Sequence, residues 1–202
     1  ILEQYPDKSL KRRNTGYALD ALSALQPFTA GGDALNICKL IAGSEGTLGI
    51  ATEIKLQLLP LPPKYAALVC IHCNSIKESL LANSIALQFQ PMASELVDKC
   101  ILDYTIGHPV YEKTRFFIKG DPEAILMVEF MADTNEAAAN KANELIKKLE
   151  QQKYGYAYAL LFDEEAKEAW EVRKAGLGLL RNTTGDLQPV NLIEDCAVAP
   201  EE

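Results

Sequence analysis

The sequence predicts an α+β fold whose larger part is a ferredoxin-like layer of two β-α-β units. Segments with apolar side chains at every second position alternate with segments in which they recur every three to four residues, as in strands and helices. The alternation begins after residues 59–63, where three prolines in four residues exclude both a helix and a central strand. A boundary near residue 60 is therefore expected to separate residues 1–60 from residues 64–202.

The composition is that of an ordinary folded protein, with 202 residues, 48% of them hydrophobic and 24% charged. Twenty Lys and Arg against 28 Asp and Glu give a formal charge of -8, which disfavours nucleic acid and an anionic membrane surface as partners. No apolar run approaches the ~18 residues that cross a bilayer. We therefore expect a soluble protein that does not span a membrane.

The ends of the chain and its cysteines add two expectations. The chain begins at Ile1 without a methionine or a signal segment and stops at Glu202 without a polar tail, which indicates a piece of a larger protein. An odd number of scattered cysteines, in a chain too long to need disulfides, predicts reduced thiols in the cytoplasm. These cysteines are Cys38, Cys70, Cys73, Cys100 and Cys196.

Before the boundary the sequence predicts a polar opening, a glycine-bearing loop and one strand. In residues 50–58 the side chains alternate in character, so one face of this strand is expected to be buried. The expected buried face consists of Ile50, Thr52, Ile54, Leu56 and Leu58, which alternate with Glu53, Lys55 and Gln57.

The first β-α-β unit is predicted directly after the boundary. Residues 65–73 and 92–98 have the pattern of strands, and a helix is expected between them over about residues 75–89. The side chains at helical spacing in that helix are Leu80, Leu81, Ser84, Leu87 and Gln88.

The second unit follows residues 108–123, which are rich in turn residues and are expected to form a loop that crosses between the halves. Residues 124–131 are a predicted strand, and Thr134 is placed to cap the next helix. A strand over residues 156–162 follows, and then a helix that begins near residue 163 with an acidic first turn. The capped helix is expected to bury a stripe of Ala138, Ala142, Leu145 and Leu149 beside Ile146.

The glycine-rich run at residues 43–49 is the most distinctive local sequence. Gly43, Gly46 and Gly49 allow close backbone approach, so that successive N–H groups can converge on a phosphate. A predicted strand follows the run, where a Rossmann fingerprint needs a helix, and the run lacks the lysine of a P-loop. A tight turn packed against a neighbouring strand is the alternative.

A second candidate is the segment Asn14-Thr15-Gly16-Tyr17-Ala18-Leu19-Asp20, which follows three cations at residues 11–13. It places hydrogen-bond donors, a glycine and an aromatic ring beside positive charge, and a flavin or a nucleotide can use all of these. A solvated basic loop with an ordinary Asn-Thr-Gly turn is the alternative.

Read together, the two segments resemble the FAD-linked oxidases of the vanillyl-alcohol-oxidase type, in the branch of D-lactate, glycolate and D-2-hydroxyglutarate dehydrogenases. The resemblance is carried by residues 14–19 and by residues 41–53, Ile41-Ala-Gly-Ser-Glu-Gly-Thr-Leu-Gly-Ile-Ala-Thr-Glu53. It covers essentially the whole chain, because residues 91–98, 128–130 and 170–176 are similar to landmarks of that family's cap domain. The ending, residues 193–200, is similar to members fused to an iron-sulfur domain.

The resemblance implies a fold and a cofactor. The fold would be the C-terminal part of an FAD-binding domain, followed by an incomplete ferredoxin-like cap domain with an antiparallel sheet and helices on one face. The phosphate-binding part of the flavin domain would lie upstream, so the chain would hold only part of the FAD site. The residues implied to contact FAD are Asn14, Thr15, Gly16, Tyr17, Gly43, Ser44, Glu45, Gly46, Thr47, Leu48, Gly49 and Ile50.

Arg173 is the candidate for substrate binding. On the last predicted helix it shares a stripe with Ala166, Trp170, Leu177 and Leu180, and a guanidinium directed at an apolar interface must find an anion or extend to solvent. The residues alone favour a structural ion pair or an extended side chain. The resemblance implies instead that Arg173 binds the carboxylate of the substrate, for which a planar fork is suited.

No metal site is predicted. Cys70 and Cys73 have the spacing of a zinc or redox pair, but residues three apart in a strand point to opposite faces. His72 and His108 do not belong to a cluster of metal ligands. Residues 194–195, Glu-Asp, match a family position near the active site and are equally consistent with a solvated turn.

The resemblance implies that the parent protein oxidises a D-2-hydroxy acid of the lactate, glycolate or 2-hydroxyglutarate class, with hydride transfer to FAD and a base that lies outside this chain. An iron-sulfur domain or subunit, or a quinone, would accept the electrons. The protein would be cytoplasmic, and a peripheral association with a membrane is left open. The fragment alone is expected to be inactive. The alternatives are an oxidase that reduces O₂ and a non-catalytic ferredoxin-like module that binds a ligand or a partner.

Overall fold

A computed structural model of the chain describes residues 2–10, 16–181 and 198–199. It divides into two compact units, which we call the N-terminal unit, Ile1–Leu59 with Asn191–Glu202, and the sheet unit, Pro60–Val190. None of the helices in the described ranges combines the length and the apolar character needed to cross a bilayer. Asn14, Thr15, Glu194, Asp195 and Cys196 lie outside the described residues.

The N-terminal unit contains two short helices, α1 (Leu19–Ser23) and α2 (Cys38–Ile41), and a 3₁₀ turn at Leu2–Gln4. Neither α1 nor α2 has a side-chain hydrogen bond at its N-cap. The predicted strand over residues 50–58 is wrong for the described part of this unit, where no strand is present. Side chains from both halves of its alternation are exposed, and Ile50 is 93% exposed, because no neighbouring strand completes the backbone hydrogen bonds.

The sheet unit contains four antiparallel strands in the order β2-β3-β1-β4, which is the ferredoxin-like arrangement and confirms the α+β class. Both central strands are nine residues long, and each of the two edge strands is six. The strands are β1 (Tyr65–Cys73), β2 (Ala93–Asp98), β3 (Ala124–Ala132) and β4 (Ala157–Phe162). The helices are α3 (Ile76–Ala86), α4 (Lys99–Tyr104), α5 (Asn135–Gln152) and α6 (Asp163–Arg181), with 3₁₀ turns at Leu87–Phe89 and Glu112–Phe117.

Side-chain caps fix where three helices of the sheet unit begin. The hydroxyl of Ser75 accepts a hydrogen bond from the N–H of Glu78 at 3.1 Å, and Asp98 caps α4 in the same way. Thr134 accepts from the N–H of Ala137 at 3.1 Å, so the predicted cap of α5 is confirmed. The predicted stripe of α5 is also confirmed, since Ala138, Ala142, Leu145 and Leu149 are all fully buried.

The sheet is covered on both faces. Alternate residues of β1 enter two separate cores: Val69 and Ile71 pack with α3 and α5, whereas Leu68 and Cys70 pack with α4, α6 and Phe117. The helices expected on one face are therefore joined by a second helical layer on the other. The physical reason is that β1 and β3 are apolar on both sides, which is the pattern of strands buried on two faces.

Two local expectations in the sheet unit are corrected. Helix α3 turns a face of mainly small residues toward the sheet, while Leu80 and Leu81 are 56% and 43% exposed. The leucines of α3 lie on more than one side of the helix, so their spacing does not define its buried face. Residues 108–123 are not only a loop, because the turn at Glu112–Phe117 inserts Phe117 into a core. The buried residues of α3 are Ser79, Ala82, Ile85 and Ala86.

Candidate functional site

The glycine-rich run of the N-terminal unit follows helix α2 as a tight turn. The N–H of Thr47 donates to the carbonyl of Ser44 at 2.9 Å, and the Thr47 hydroxyl donates to the same oxygen at 2.6 Å. Glu45 and Gly46 have φ values of 49° and 79°, in the left-handed region. The backbone of the turn is thus held by Thr47, whose only hydroxyl proton is already used.

The two predicted flavin segments meet in the N-terminal unit. The hydroxyl of Tyr17 lies 2.6 Å from Oγ1 of Thr47, and it must be the donor because the Thr47 proton is directed at Ser44. A Cβ added to Gly43 would lie 2.5 Å from the carbonyl oxygen of Gly16, so only glycine fits at that crossing. The structure thus brings together Gly16 and Tyr17 of one segment with Gly43 and Thr47 of the other.

The far side of the turn is open. Residues 45–50 are exposed, and within the described part of the chain the N–H groups of Gly46, Leu48 and Gly49 donate no hydrogen bond. Ser44, by contrast, is buried. Within the N-terminal unit the turn therefore presents unsatisfied donors, and an anionic or carbonyl-bearing ligand can accept from them.

Arg173 lies on α6 of the sheet unit and binds a carboxylate of β2. Its Nη2 lies 3.1 Å from Oε2 of Glu95, and its Nε donates to the same oxygen at 3.2 Å. The side chains are 45% and 39% exposed, respectively, so this pair contributes only about 0–1 kcal/mol to stability. The ion pair expected from the residues alone is present.

The buried face of α6 differs from the predicted stripe. Arg173 lies beside this face and not on it, Trp170 is half-buried, and the side chain of Leu177 lies outside the description. Small side chains let the helix approach the sheet closely, so larger side chains fit only at the edge of the interface. The buried residues of α6 include Ala166, Ala169, Val172, Ala175 and Leu179.

Glu129 of β3 makes a second contact from the sheet to α6. Its Oε1 accepts a hydrogen bond from Nε1 of Trp170 at 2.9 Å. Glu95 and Glu129 thus bind residues one helical turn apart on α6, Arg173 and Trp170. Sequence reasoning missed both roles, although Glu129 interrupts the most apolar strand of the chain and a lone acid in such a run indicates a partner.

A cavity of about 270 Å³ lies beside Arg173, between β2, α4 and α6. Its lining is mainly apolar, and the added Cβ of any residue at Gly176 would lie 3.3 Å from Cδ1 of Ile101. Asp98, the cap of α4, also reaches it. The lining residues are Leu96, Val97, Asp98, Ile101, Arg173, Gly176 and Leu180.

The strand β1 carries three residues with reactive side chains, and none of them is part of a described metal site. Cys70 packs in the α6 layer and Cys73 in the α5 layer, so the prediction that they point to opposite faces is confirmed. Burial raises the pKa of Cys70 and raises that of Cys73 to about 12, which keeps both thiols protonated. Within the described ranges no three His, Cys, Asp or Glu side chains are grouped to hold a metal ion.

His72 is buried and neutral. Its Nε2 accepts a hydrogen bond from the N–H of Lys119 at 3.1 Å, so the proton lies on Nδ1 and is donated to the carbonyl of Ala157 at 3.2 Å. Burial lowers the pKa of His72 below its usual value. The side chain therefore joins β1, β4 and the segment before β3 and has a structural role.

Comparison with known proteins identifies relatives of the whole chain. A family model described as FAD linked oxidases, C-terminal domain, matches residues 62–202. The chain is 30% identical over 201 residues to a D-2-hydroxyglutarate dehydrogenase of Pseudomonas putida, an alignment that covers 96% of the chain and 19% of the relative. It is 29% identical over 211 residues to a D-2-hydroxyglutarate dehydrogenase of Pantoea ananatis, with coverage of 100% and 20%.

A further relative is the glycolate oxidase subunit GlcD of Bacillus subtilis, which is 28% identical over 173 residues, with 83% of the chain and 34% of the relative aligned. The chain spans about a fifth of the length of the D-2-hydroxyglutarate dehydrogenases that it matches.

Proposed function

The chain belongs to the FAD linked oxidases through their C-terminal domain, and from this premise we propose that it is part of a longer flavoenzyme that oxidises a D-2-hydroxy acid. The family expected from residues 14–19 and 41–53 is confirmed by this membership. The named substrates of the relatives, 2-hydroxyglutarate and glycolate, are both 2-hydroxy acids, and that shared group is the substrate class we propose.

One observation supports the cofactor part of the proposal most directly: two segments 30 residues apart are joined by the bond between Tyr17 and Thr47, and in the described part of the chain the N–H groups of Gly46, Leu48 and Gly49 donate no hydrogen bond. A flavin offers carbonyl oxygens, a ring N–H and phosphates to such a surface. The oxygen of Thr47 would accept a hydrogen bond from the ligand, because its own proton is donated to Ser44. The residues fit FAD in these respects, and Asn14 and Thr15 stay proposed contacts.

FAD, when bound, supplies the hydride acceptor for the hydrogen on C2 of the substrate. In the sheet unit Arg173 would bind the substrate carboxylate and orient C2, since a guanidinium holds a carboxylate through two parallel hydrogen bonds. The apolar lining beside it would exclude water from the carbon chain of the substrate. The base that takes the hydroxyl proton would come from outside this chain.

The acceptor and the compartment complete the proposal. We propose an iron-sulfur domain or subunit, or a quinone, as the electron acceptor. The four described cysteines are free thiols, which agrees with a reducing, cytoplasmic location.

The test uses the longer protein, purified with its flavin and titrated without oxygen with D-lactate, D-2-hydroxyglutarate and glycolate. Bleaching of the flavin absorbance by at least one of them is expected. Arg173→Lys should raise KM at least about tenfold through loss of the bidentate fork, with Lys174→Arg, one residue along the helix, as the matched control. A flavin that no 2-hydroxy acid reduces would refute the function, and the 202-residue chain alone should not retain stoichiometric FAD.

A further inference from the structure

We propose that Glu95 is a positioning residue that holds the guanidinium plane of Arg173, so that the free edge of this group is presented to the carboxylate of the substrate. This inference rests on the proposed function, because it assigns Glu95 a part in the same site. No other residue of β2 has a comparable contact with α6 in the described part of the chain.

The contact leaves half of the guanidinium available. Oε2 of Glu95 lies between Nε, at 3.2 Å, and Nη2, at 3.1 Å, and therefore covers the side edge of Arg173. Within the described residues Nη1 has no hydrogen-bond partner. One N–H of Nη1 and the outer N–H of Nη2 form the end edge, which is the edge that a second carboxylate can bind with two hydrogen bonds.

Glu95 is well placed to orient another side chain because its own backbone is fixed. It lies in β2 opposite Met127 of β3, on the sheet face that α6 covers, and Val97 of the same strand is buried. A group supported by a strand positions its partner more accurately than one on a loop. The guanidinium that it holds borders the cavity of about 270 Å³, whose lining also includes Ile101 and Gly176.

Tethering of α6 does not account for the contact. Glu129 already binds Trp170 one turn earlier on the helix, and α6 is anchored by buried residues such as Ala169 and Val172. A half-exposed ion pair adds little to such an anchor. A role in orienting Arg173 explains why the carboxylate holds a guanidinium that lines the cavity.

The experiment compares variants of the longer flavoenzyme by KM, kcat and melting temperature. Glu95→Gln should raise KM for the 2-hydroxy acid about fivefold, the upper range for a half-exposed pair, with kcat nearly unchanged. Glu129→Gln is the matched control, since it alters the other contact from a strand to α6. It removes the charge while the Gln carbonyl can still accept from Trp170, and it should leave KM unchanged.

A double variant shows whether Glu95 acts through Arg173. In the Arg173→Lys background, Glu95→Gln should have almost no further effect on KM, because the planar group that it orients is gone. Independent, multiplying effects would overturn the proposal. So would a fall in KM for Glu95→Gln, which would mean that the carboxylate competes with the substrate.

The two proposals fail in different ways. If the wild-type enzyme oxidises a 2-hydroxy acid and Arg173→Lys raises KM, but Glu95→Gln does not, only the positioning role is refuted. If no 2-hydroxy acid reduces the flavin, the proposed function is refuted and the role of Glu95 falls with it.

Discussion

Residues 50–58 of the N-terminal unit and residues 65–73 of the sheet unit are both predicted strands, yet only the second forms one. Strand β1 has β3 on one side and β4 on the other, so its backbone donors and acceptors are paired. Residues 50–58 have no strand beside them in the described part of the chain, and Leu56 and Leu58 are 80% and 81% exposed. The comparison teaches that alternation indicates a capacity to form a strand, which is realised only next to a partner.

The largest expected effect tests the contrast in packing. Phe130 of the sheet unit is 1% exposed. Phe130→Ala should lower the unfolding free energy by about 3–5 kcal/mol, because a cavity replaces the ring. Leu56→Ala in the N-terminal unit should change it by less than about 0.5 kcal/mol. Denaturant unfolding followed by the fluorescence of the single tryptophan, in α6, measures both. Similar losses for the two variants would contradict the contrast.

The next largest expected effect tests the close contact between Gly43 and Gly16 in the N-terminal unit. Gly43→Ala would place a Cβ 2.5 Å from the oxygen of Gly16, which should cost about 1–3 kcal/mol locally through overpacking. If the segments around Gly16 and Gly43 separate, the amide of Thr47, which donates to Ser44, should exchange its hydrogen faster than in the wild type. Gly49→Ala is the control, as its Cβ meets nothing within 4 Å. Equal exchange rates in the two variants would show that the crossing is not close.

Acid should destabilise the sheet unit through His72. Burial lowers the pKa of this group in the folded state, so below the unfolded value of about 6.5 the unfolded chain binds the extra proton. As the pH falls from about 6.5 to the folded pKa of His72, the unfolding free energy should decrease by at most about 1.4 kcal/mol for each pH unit. Above about pH 6.5 the histidine is neutral in both states and causes no such loss. Unfolding curves between pH 7 and pH 5 measure this slope. The slope should be lost in His72→Gln, and its persistence there would assign it to other groups.

The smallest expected effect concerns the caps, which α3, α4 and α5 possess and α1 and α2 lack. Thr134→Ala should cost about 1 kcal/mol, because the N–H of Ala137 loses its acceptor. Thr52→Ala, at an exposed position of the N-terminal unit, serves as the control and should be near neutral. The same tryptophan-monitored unfolding applies. A neutral Thr134→Ala would mean that water replaces the cap without cost.

Local signals in the sequence were sufficient for most of the sheet unit. The cap at Thr134 and the stripe from Ala138 to Leu149 depend on residues three to eleven apart, and both are confirmed. The buried face of α3 was not predictable, because Leu80 and Leu81 are more apolar than Ser79, Ala82 and Ala86, which are buried instead. The second helical layer was missed because an apolar run indicates burial without saying what covers it.

The site depends on pairings that no local pattern contains. Glu95 and Arg173 are 78 residues apart, and nothing near either residue identifies the other. Tyr17 and Thr47 are 30 residues apart, and only the family resemblance, read across both segments, predicted that they belong to one site. Periodicity therefore predicted most of the strands and helices, whereas these two long-range pairs required either a family pattern or coordinates.

Strand β1 supplies both cores of the sheet unit from alternate residues, with Val69 and Ile71 on one side and Leu68 and Cys70 on the other. An insertion or deletion of one residue in its middle would exchange the two sides for the rest of the strand and carry His72 away from Lys119. Length variation among natural relatives should therefore be excluded from this strand and accumulate in the connections, such as residues 105–111. An alignment of related sequences should therefore show gaps in the connections and none within β1.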